Sequence, residues 1–157
     1  MSSVESSKSI KAVNAIIISG GEFNINTTDD AIHSNNEIII SDGTFEISSL
    51  DDVIHADNSL TIDGGNINIK RSYEGLEAKD IIIINDGSIL ITASDDGINV
   101  VNTINDTATL SIYEGTIKVN ANGDGIDADG SVYVVVRYML MVLLVMEMEH
   151  WIMIKSL

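Results

Sequence analysis

Apolar and polar positions alternate along most of the chain, and the alternation itself recurs with a fixed period. From Ser7 the pattern repeats every 22 residues, in units 7–28, 29–50, 51–72 and 73–94. A fifth unit, 95–122, carries six extra residues within Val101–Thr107, and a sixth opens at Gly123. The fourth position of each unit reads Ile10, Ile32, Ile54, Leu76, Ile98 and Ile126. The tenth and twelfth positions read Ile16/Ile18, Ile38/Ile40, Leu60/Ile62, Ile82/Ile84, Leu110/Ile112 and Val132/Val134. Five successive units place glycine at the fifteenth position, as Gly21, Gly43, Gly65, Gly87 and Gly115, and an alternating run follows each.

This pattern predicts three short strands per unit. Period-two runs of β-branched residues mark strands, and Asp-Gly or Gly-Gly pairs mark corners that need positive φ. One such unit cannot bury its apolar edge alone, whereas coaxial stacking turns the columns into continuous isoleucine ladders. The expected fold is therefore all-β: a single-stranded parallel β-helix of about six coils, right-handed by the crossover rule. Antiparallel sandwiches offer no reason for a corner glycine at a constant 22-residue interval. Phe23 and Phe45 share a column and read as core. The domain reading is a disordered start at 1–6, the β-helix at 7–133, and an atypical segment at 134–157.

Stacking also piles up charge. Equivalent positions of neighbouring coils lie about 4.8 Å apart, so the second position becomes a ladder of Asp30, Asp52, Glu74, Asp96 and Asp124. Asp29, Asp51, Tyr73 and Asp95 precede it, and Glu77 and Asp127 share the fifth-position column with His33, His55 and Asn99. Adjacent carboxylates at that spacing repel by roughly 3–4 kcal/mol at an effective dielectric near 20. Two remedies are expected: some acids protonate, or a hard cation sits between coils. Calcium takes six to eight oxygens from carboxylates, carbonyls and water, which makes Asp29, Asp30, Asp51, Asp52, Glu74, Glu77, Asp95, Asp96, Asp124 and Asp127 the candidate Ca2+ ligands. Three histidines are too few to favour zinc, so His33 and His55 read as a polar ladder. Asn120–Ser131 begins like an EF-hand loop but ends on serine at position twelve.

Composition narrows the function. Among 157 residues there are 24 acids and 8 bases, for a net charge of −16, which excludes a phosphate-binding face and hence nucleic acid. The absence of cysteine excludes disulfides, thiol nucleophiles and Cys-based zinc sites. Aromatics make up 4%, so stacking platforms for sugars reduce to Tyr73 and Tyr113. Lys70 and Arg71 sit beside the acidic ladder as candidate substrate contacts. In a lyase they would serve as the base that removes the proton next to a uronate carboxylate; otherwise they pair with neighbouring acids.

The stretch Asp51-Asp-Val-Ile-His-Ala-Asp-Asn-Ser-Leu-Thr-Ile-Asp-Gly-Gly, with Ser72-Tyr-Glu-Gly-Leu-Glu-Ala78 and Ala93-Ser-Asp-Asp-Gly-Ile-Asn99, resembles the clostridial secreted carbohydrate-binding β-helix family. The similarity covers about residues 10–133. It implies a pectate-lyase-like right-handed β-helix with bound calcium. It also implies a non-catalytic surface for cellulose-like and acidic plant cell-wall polysaccharides such as polygalacturonate, and an extracellular or cell-surface location. Asp51, Asp52, Tyr73, Glu74, Glu77, Asp95 and Asp96 fall on the family motif. Val53 stands where the motif has glycine, so a distorted corner is expected there. The opening Met1-Ser-Ser-Val-Glu-Ser-Ser-Lys has no apolar export core.

Residues 134–157 depart from the repeat. They hold five of the six methionines, the one tryptophan and the run Tyr138–Met146, with two acids and two bases. Back-translated in another frame, Met146–Lys155 reads Gly-(Asn/Asp)-Gly-(Thr/Ala)-Leu-Asp, the kind of sequence with which the family continues. A frame slip near Val134–Arg137 accounts for this, and the chain is then a truncated, non-functional fragment of a longer binding protein. A membrane span is disfavoured, because the candidate stretch Val132–Met146 is shorter than ~18 residues and contains Arg137; a capping helix is the remaining alternative. The chain is expected to be a monomer.

Overall fold

A computed structural model describes residues 7–102, 104, 107–135 and 150–155. The first coil supplies β1 (Ile10–Ala12) and β2 (Ala15–Asn26), and the second β3 (Ile32–Ser34) and β4 (Glu37–Ser48). Coil three supplies β5 (Ile54–Ala56), β6 (Ser59–Ile62) and β7 (Asn66–Ser72). Coil four supplies β8 (Leu76–Ala78), β9 (Ile81–Ile84) and β10 (Ser88–Ala93). Coil five supplies β11 (Ile98–Val100), β12 (Thr109–Ile112) and β13 (Thr116–Ala121), and coil six β14 (Ile126–Ala128) and β15 (Ser131–Val134). A last strand, β16 (His150–Lys155), follows.

These strands form a parallel β-solenoid of about six turns. One face is the parallel sheet β1-β3-β5-β8-β11-β14. A ten-stranded sheet makes the other two faces, because β4 pairs with β6 through Ile38–Ile40 and with β7 through Thr44–Ile47. Here the structure departs from three separate strands per coil. In coils one and two the second and third strands run through the corner as one bent strand of 12 residues. Pairing survives the bend through register shifts next to Ser19.

The sequence columns are structural columns. Ile32 pairs with Ile54, Ile54 with Leu76, Leu76 with Ile98 and Ile98 with Ile126. Apart from Ile126, which is partly buried against it, their side chains form one buried core with Ile38, Ile40, Leu60, Ile62, Ile82 and Ile84. The corner glycines Gly21, Gly43, Gly65, Gly87 and Gly115 all have positive φ, between 97° and 134°. Phe23 stacks on Phe45 with ring centroids 4.7 Å apart. The six extra residues of unit five fall between β11 and β12, where they leave the ladder intact: Ile98 pairs with Leu76 before them and Thr109 with Ile81 after them.

Val53 corrects an expectation. It is fully buried, and its N–H bonds the Glu74 carbonyl at 3.2 Å while the next residue, Ile54, bonds Gly75 at 3.2 Å, so the corner is undistorted. The third position of the repeat faces inward. Coils two and three carry Ala31 and Val53 there, both fully buried, and coils four and five carry Gly75 and Gly97. A Cβ on Gly75 would lie 2.5 Å from Ile91 Cγ2, and one on Gly97 would overlap Val119 and approach the Gly125 carbonyl to 2.7 Å.

The tail ends the parallel order. β16 pairs antiparallel with β13, Thr116 opposite Lys155 and Ala121 opposite His150. The apolar run Tyr138–Met146, on which the frame-slip reading turns, lies outside the described residues. Among the described residues no helix is long and apolar enough to cross a membrane.

The fit at the third position yields a prediction. Gly97→Ala should destabilise the fold by about 1–3 kcal/mol through overpacking, read as a lower midpoint in thermal and urea unfolding. An unchanged midpoint would mean that the Val119 contact is loose.

Candidate functional site

The outward side of the six-stranded face, together with the corner that leads into it, carries the second and fifth repeat positions. Three residues apart, they sit side by side on each coil. Read from the first coil to the sixth, the pairs are Lys8/Lys11, Asp30/His33, Asp52/His55, Glu74/Glu77, Asp96/Asn99 and Asp124/Asp127. The stripe thus runs from cationic, through carboxylate–imidazole, to carboxylates joined by one amide, Asn99.

At its cationic end the chain neutralises its own carboxylates. Lys8 Nζ lies 3.0 Å from Asp29 Oδ1 and 2.5 Å from Asp30 Oδ2. His33 Nδ1 lies 2.7 Å from the same Asp30 oxygen, and both Asp29 and Asp30 are buried. His55 sits at the crossing of three coils. Its Nδ1 is 3.1 Å from Glu77 Oε2, 3.4 Å from Asp52 Oδ2 and 3.7 Å from Asp30 Oδ2, and its Nε2 is 3.5 Å from Asp57 Oδ1. The two imidazoles meet edge to face at 4.8 Å.

Backbone and amide groups supply a further remedy, one that the sequence reading did not include. The Glu74 N–H donates to Asp52 Oδ1 at 3.1 Å, and the Asp124 N–H donates to Asp96 Oδ1 at 2.6 Å. Asn99 donates its amide to Glu74 Oε1 at 2.8 Å. Ladder acids therefore accept hydrogen bonds from the next coil's turn as well as repelling each other. No ion pair among the described residues includes Glu74, Asp95, Asp96, Asp124 or Asp127. There, Glu74 Oε2 and Asn99 Oδ1 are shut away from solvent without a hydrogen-bond partner, and Asn99 is only 7% exposed.

The electrostatics follow the geometry. Burial, joined by the charges of Asp52, Asp96 and Asp95, lifts the Glu74 carboxyl to about 7 against the Asn99 hydrogen bond. Burial and a hydrogen bond with Asp52 lift Glu77 to about 8. Burial also raises Asp51 and Asp96, with neighbouring carboxylates adding to it. Asp52 is lowered: burial opposes this, but hydrogen bonds from His55, Glu77 and the Glu74 backbone outweigh it. The same contacts raise His55 despite its burial.

The remaining candidates are spread out. Tyr73, 48% exposed, stands beside Asp95, whose carboxylate raises the phenol. Tyr113 is exposed between β12 and β13, at a different corner of the coil from Tyr73, so the two tyrosines do not form one platform. Lys70 and Arg71 occupy a β-bulge, where two residues of β7 face one of β10, and Lys70 Nζ pairs with Glu46 Oε2 at 2.8 Å. Sequence reasoning left out Lys8, which the 22-residue step places directly before Asp30. It also left out a cleft of about 410 Å³ beside the stripe, lined by Asp57, Asn58, Glu77, Lys79, Asp80 and Asn102, with Ile104 of the insertion at its edge.

These shifts set a pH dependence. Glu74 and Glu77 protonate more readily folded than unfolded, so their contribution is complete below about pH 4.3 and is lost as pH rises through 7 and 8. His55, also raised, loses its contribution in the same direction, whereas Asp52 matters only at still lower pH. Discounted for half exposure, this amounts to about 1–2 kcal/mol. The metal-stripped protein should melt about 3–6 °C higher at pH 5 than at pH 8.5, and Glu77→Gln should flatten the profile. A melt that rises with pH would contradict the assignment.

A family model described as carbohydrate-binding domain-containing protein matches residues 1–53 and 48–137. Among solved structures, a gadolinium derivative of the polysaccharide lyase-like protein from C. thermocellum is similar, with a TM-score of 0.69 and 22% sequence identity. The match covers 85% of this chain and 55% of that one, and at this identity it speaks for the fold. No curated protein matches the chain. With most of its length, the acidic stripe included, inside the family match, the chain belongs to the carbohydrate-binding domain-containing protein family.

Proposed function

We propose that this chain is a non-catalytic, calcium-dependent module that binds acidic plant cell-wall polysaccharide outside the cell or at its surface. Carbohydrate binding rests on the family. The calcium and the acidity of the glycan rest on one observation: the acidic end of the stripe has no cationic side chain of its own among the described residues, yet holds buried, partnerless oxygens on Glu74 and Asn99.

The donor set fits a hard cation. Glu74, Asp95, Asp96, Asn99, Asp124 and Asp127 offer carboxylate and amide oxygens and no imidazole, as calcium prefers. Gly123 keeps the space open, since a Cβ there would run into the Asp96 carboxylate and come within 2.8 Å of Asp95 Oδ1. Bound calcium supplies the positive charge through which a chain at −16 holds a polyuronate instead of repelling it. The protein's own contribution is to carry these residues on successive coils whose strands lie about 4.8 Å apart. The exposed Tyr73 ring offers an apolar face to a sugar.

The fold neighbour is called lyase-like, which raises a second reading with Lys70 or Arg71 as the base. Lys70 is held by Glu46 on the adjacent coil, so the binding role is preferred.

Two outcomes test this. Retardation in a polygalacturonate gel should require calcium and vanish in EDTA, and Asp96→Asn should weaken it about tenfold, the loss of one charge-assisted contact worth about 1.5 kcal/mol; retention in excess chelator refutes the bridge. Polygalacturonate incubated with protein and calcium should show no growth in unsaturated-product absorbance. Steady growth that Lys70→Ala abolishes would establish the lyase instead.

A further inference from the structure

His55 is the point where the stripe meets the cleft. Its Nδ1 touches Asp52 and Glu77 from the stripe, while Asp57, near its Nε2, and Glu77 itself both line the cleft. This arrangement adjoins the oxygen-only end assigned to calcium, since the Glu74 N–H bonds Asp52, but its chemistry differs.

We propose that Asp52, His55 and Glu77 form a site for a first-row divalent transition-metal ion of the zinc class, with an open position at the margin of the cleft. One donor atom from each of Asp52, His55 and Glu77 lies within 4.8 Å of the other two. A tetrahedral ion with bonds of about 2.0–2.1 Å needs donors roughly 3.3–3.5 Å apart. From His55 Nδ1 the two carboxylate oxygens are at 3.4 and 3.1 Å. Two carboxylates and one neutral imidazole match a dication in charge. Imidazole selects zinc, cobalt or nickel over calcium, which prefers an all-oxygen shell.

A metal-bound histidine needs a partner for its second nitrogen, and Asp57 stands near it. With the ion on Nδ1, the proton must sit on Nε2 and needs an acceptor. His55 Nε2 is buried and makes no hydrogen bond, and Asp57 Oδ1 stands 3.5 Å away, itself held by the Lys79 ammonium. A small closure completes a carboxylate–histidine pair. The other ligand is fixed as well, because the Glu74 N–H takes Asp52 Oδ1 and leaves Oδ2 toward the imidazole. Asp30 and His33 are excluded as ligands, because the one oxygen near His55, Asp30 Oδ2, is already engaged by Lys8 at 2.5 Å and His33 at 2.7 Å. Three protein ligands leave room for water or a ligand oxygen from the cleft, in the manner of open zinc sites.

The test uses the metal-stripped full chain and zinc or cobalt(II) chloride alone. Calorimetry should find a zinc site that His55→Ala removes, that Asp57→Asn weakens about tenfold or more, and that His33→Ala leaves intact. Cobalt(II) should give visible bands of tetrahedral intensity that a large excess of calcium does not bleach. In the unsubstituted chain, nitrogen NMR of the imidazoles should show zinc moving His55 Nδ1 and leaving Nε2 protonated, a readout independent of whether any variant folds. Zinc affinity unchanged in His55→Ala, cobalt bands displaced by calcium, or an unshifted His55 nitrogen would each overturn the assignment. None of these readouts involves polysaccharide, so the site stands or falls separately from the glycan reading.

Discussion

Parallel stacking at a constant strand spacing governs this molecule. Every residue lies over its counterpart one coil away, so a favourable self-contact is multiplied along the axis, and so is an unfavourable one. Isoleucine over isoleucine buries apolar surface on both sides and excludes water from the core. Glycine over glycine lets the corner repeat without strain or clash. Aspartate over aspartate does the reverse, and the fold keeps such a column only with compensation.

The compensation changes along the axis. Near the first coil Lys8 and His33 bracket Asp30, and His55 gathers carboxylates from its own coil and both neighbours. Further on, the charged groups are met by turn N–H groups and by Asn99, and oxygens on Glu74 and Asn99 stay unmatched. One stripe therefore offers two chemistries: imidazole with carboxylate in coils three and four, oxygen alone beyond. The insertion in coil five contributes Ile104 to the lining of the cleft that Glu77 also lines.

Stability and recognition draw on the same residues. Carboxyls that resist ionisation where they are buried, such as Glu74 and Glu77, are also those with most to gain from a cation. The inward third position shows the same economy in apolar form. A Cβ at Gly75 or Gly97 would meet Ile91 or Val119, whereas Ala31 and Val53 sit fully buried at the same repeat position. Reading Val53 as a departure from a motif predicted distortion, but it is a fully buried core residue whose coil-to-coil hydrogen bonds are kept.

The sequence by itself determined the period, the three-strand coil of units three to five, the corner glycines, the isoleucine core and the alignment of acids into columns, because in a solenoid one interval converts position in the chain into position in space. That interval also reached Lys8, which extending the ladder one unit back would have found. What tertiary structure decided lies between columns: the contact of second with fifth positions that seats His55 among carboxylates, the bulge that carries Lys70 to Glu46, the bent strands of the first two coils, and the reversed direction of β16. A repeat fixes which residues stack along the axis, but contacts across it depend on side-chain reach, local twist and the hydrogen bonds of the turns, and no one-dimensional period encodes those.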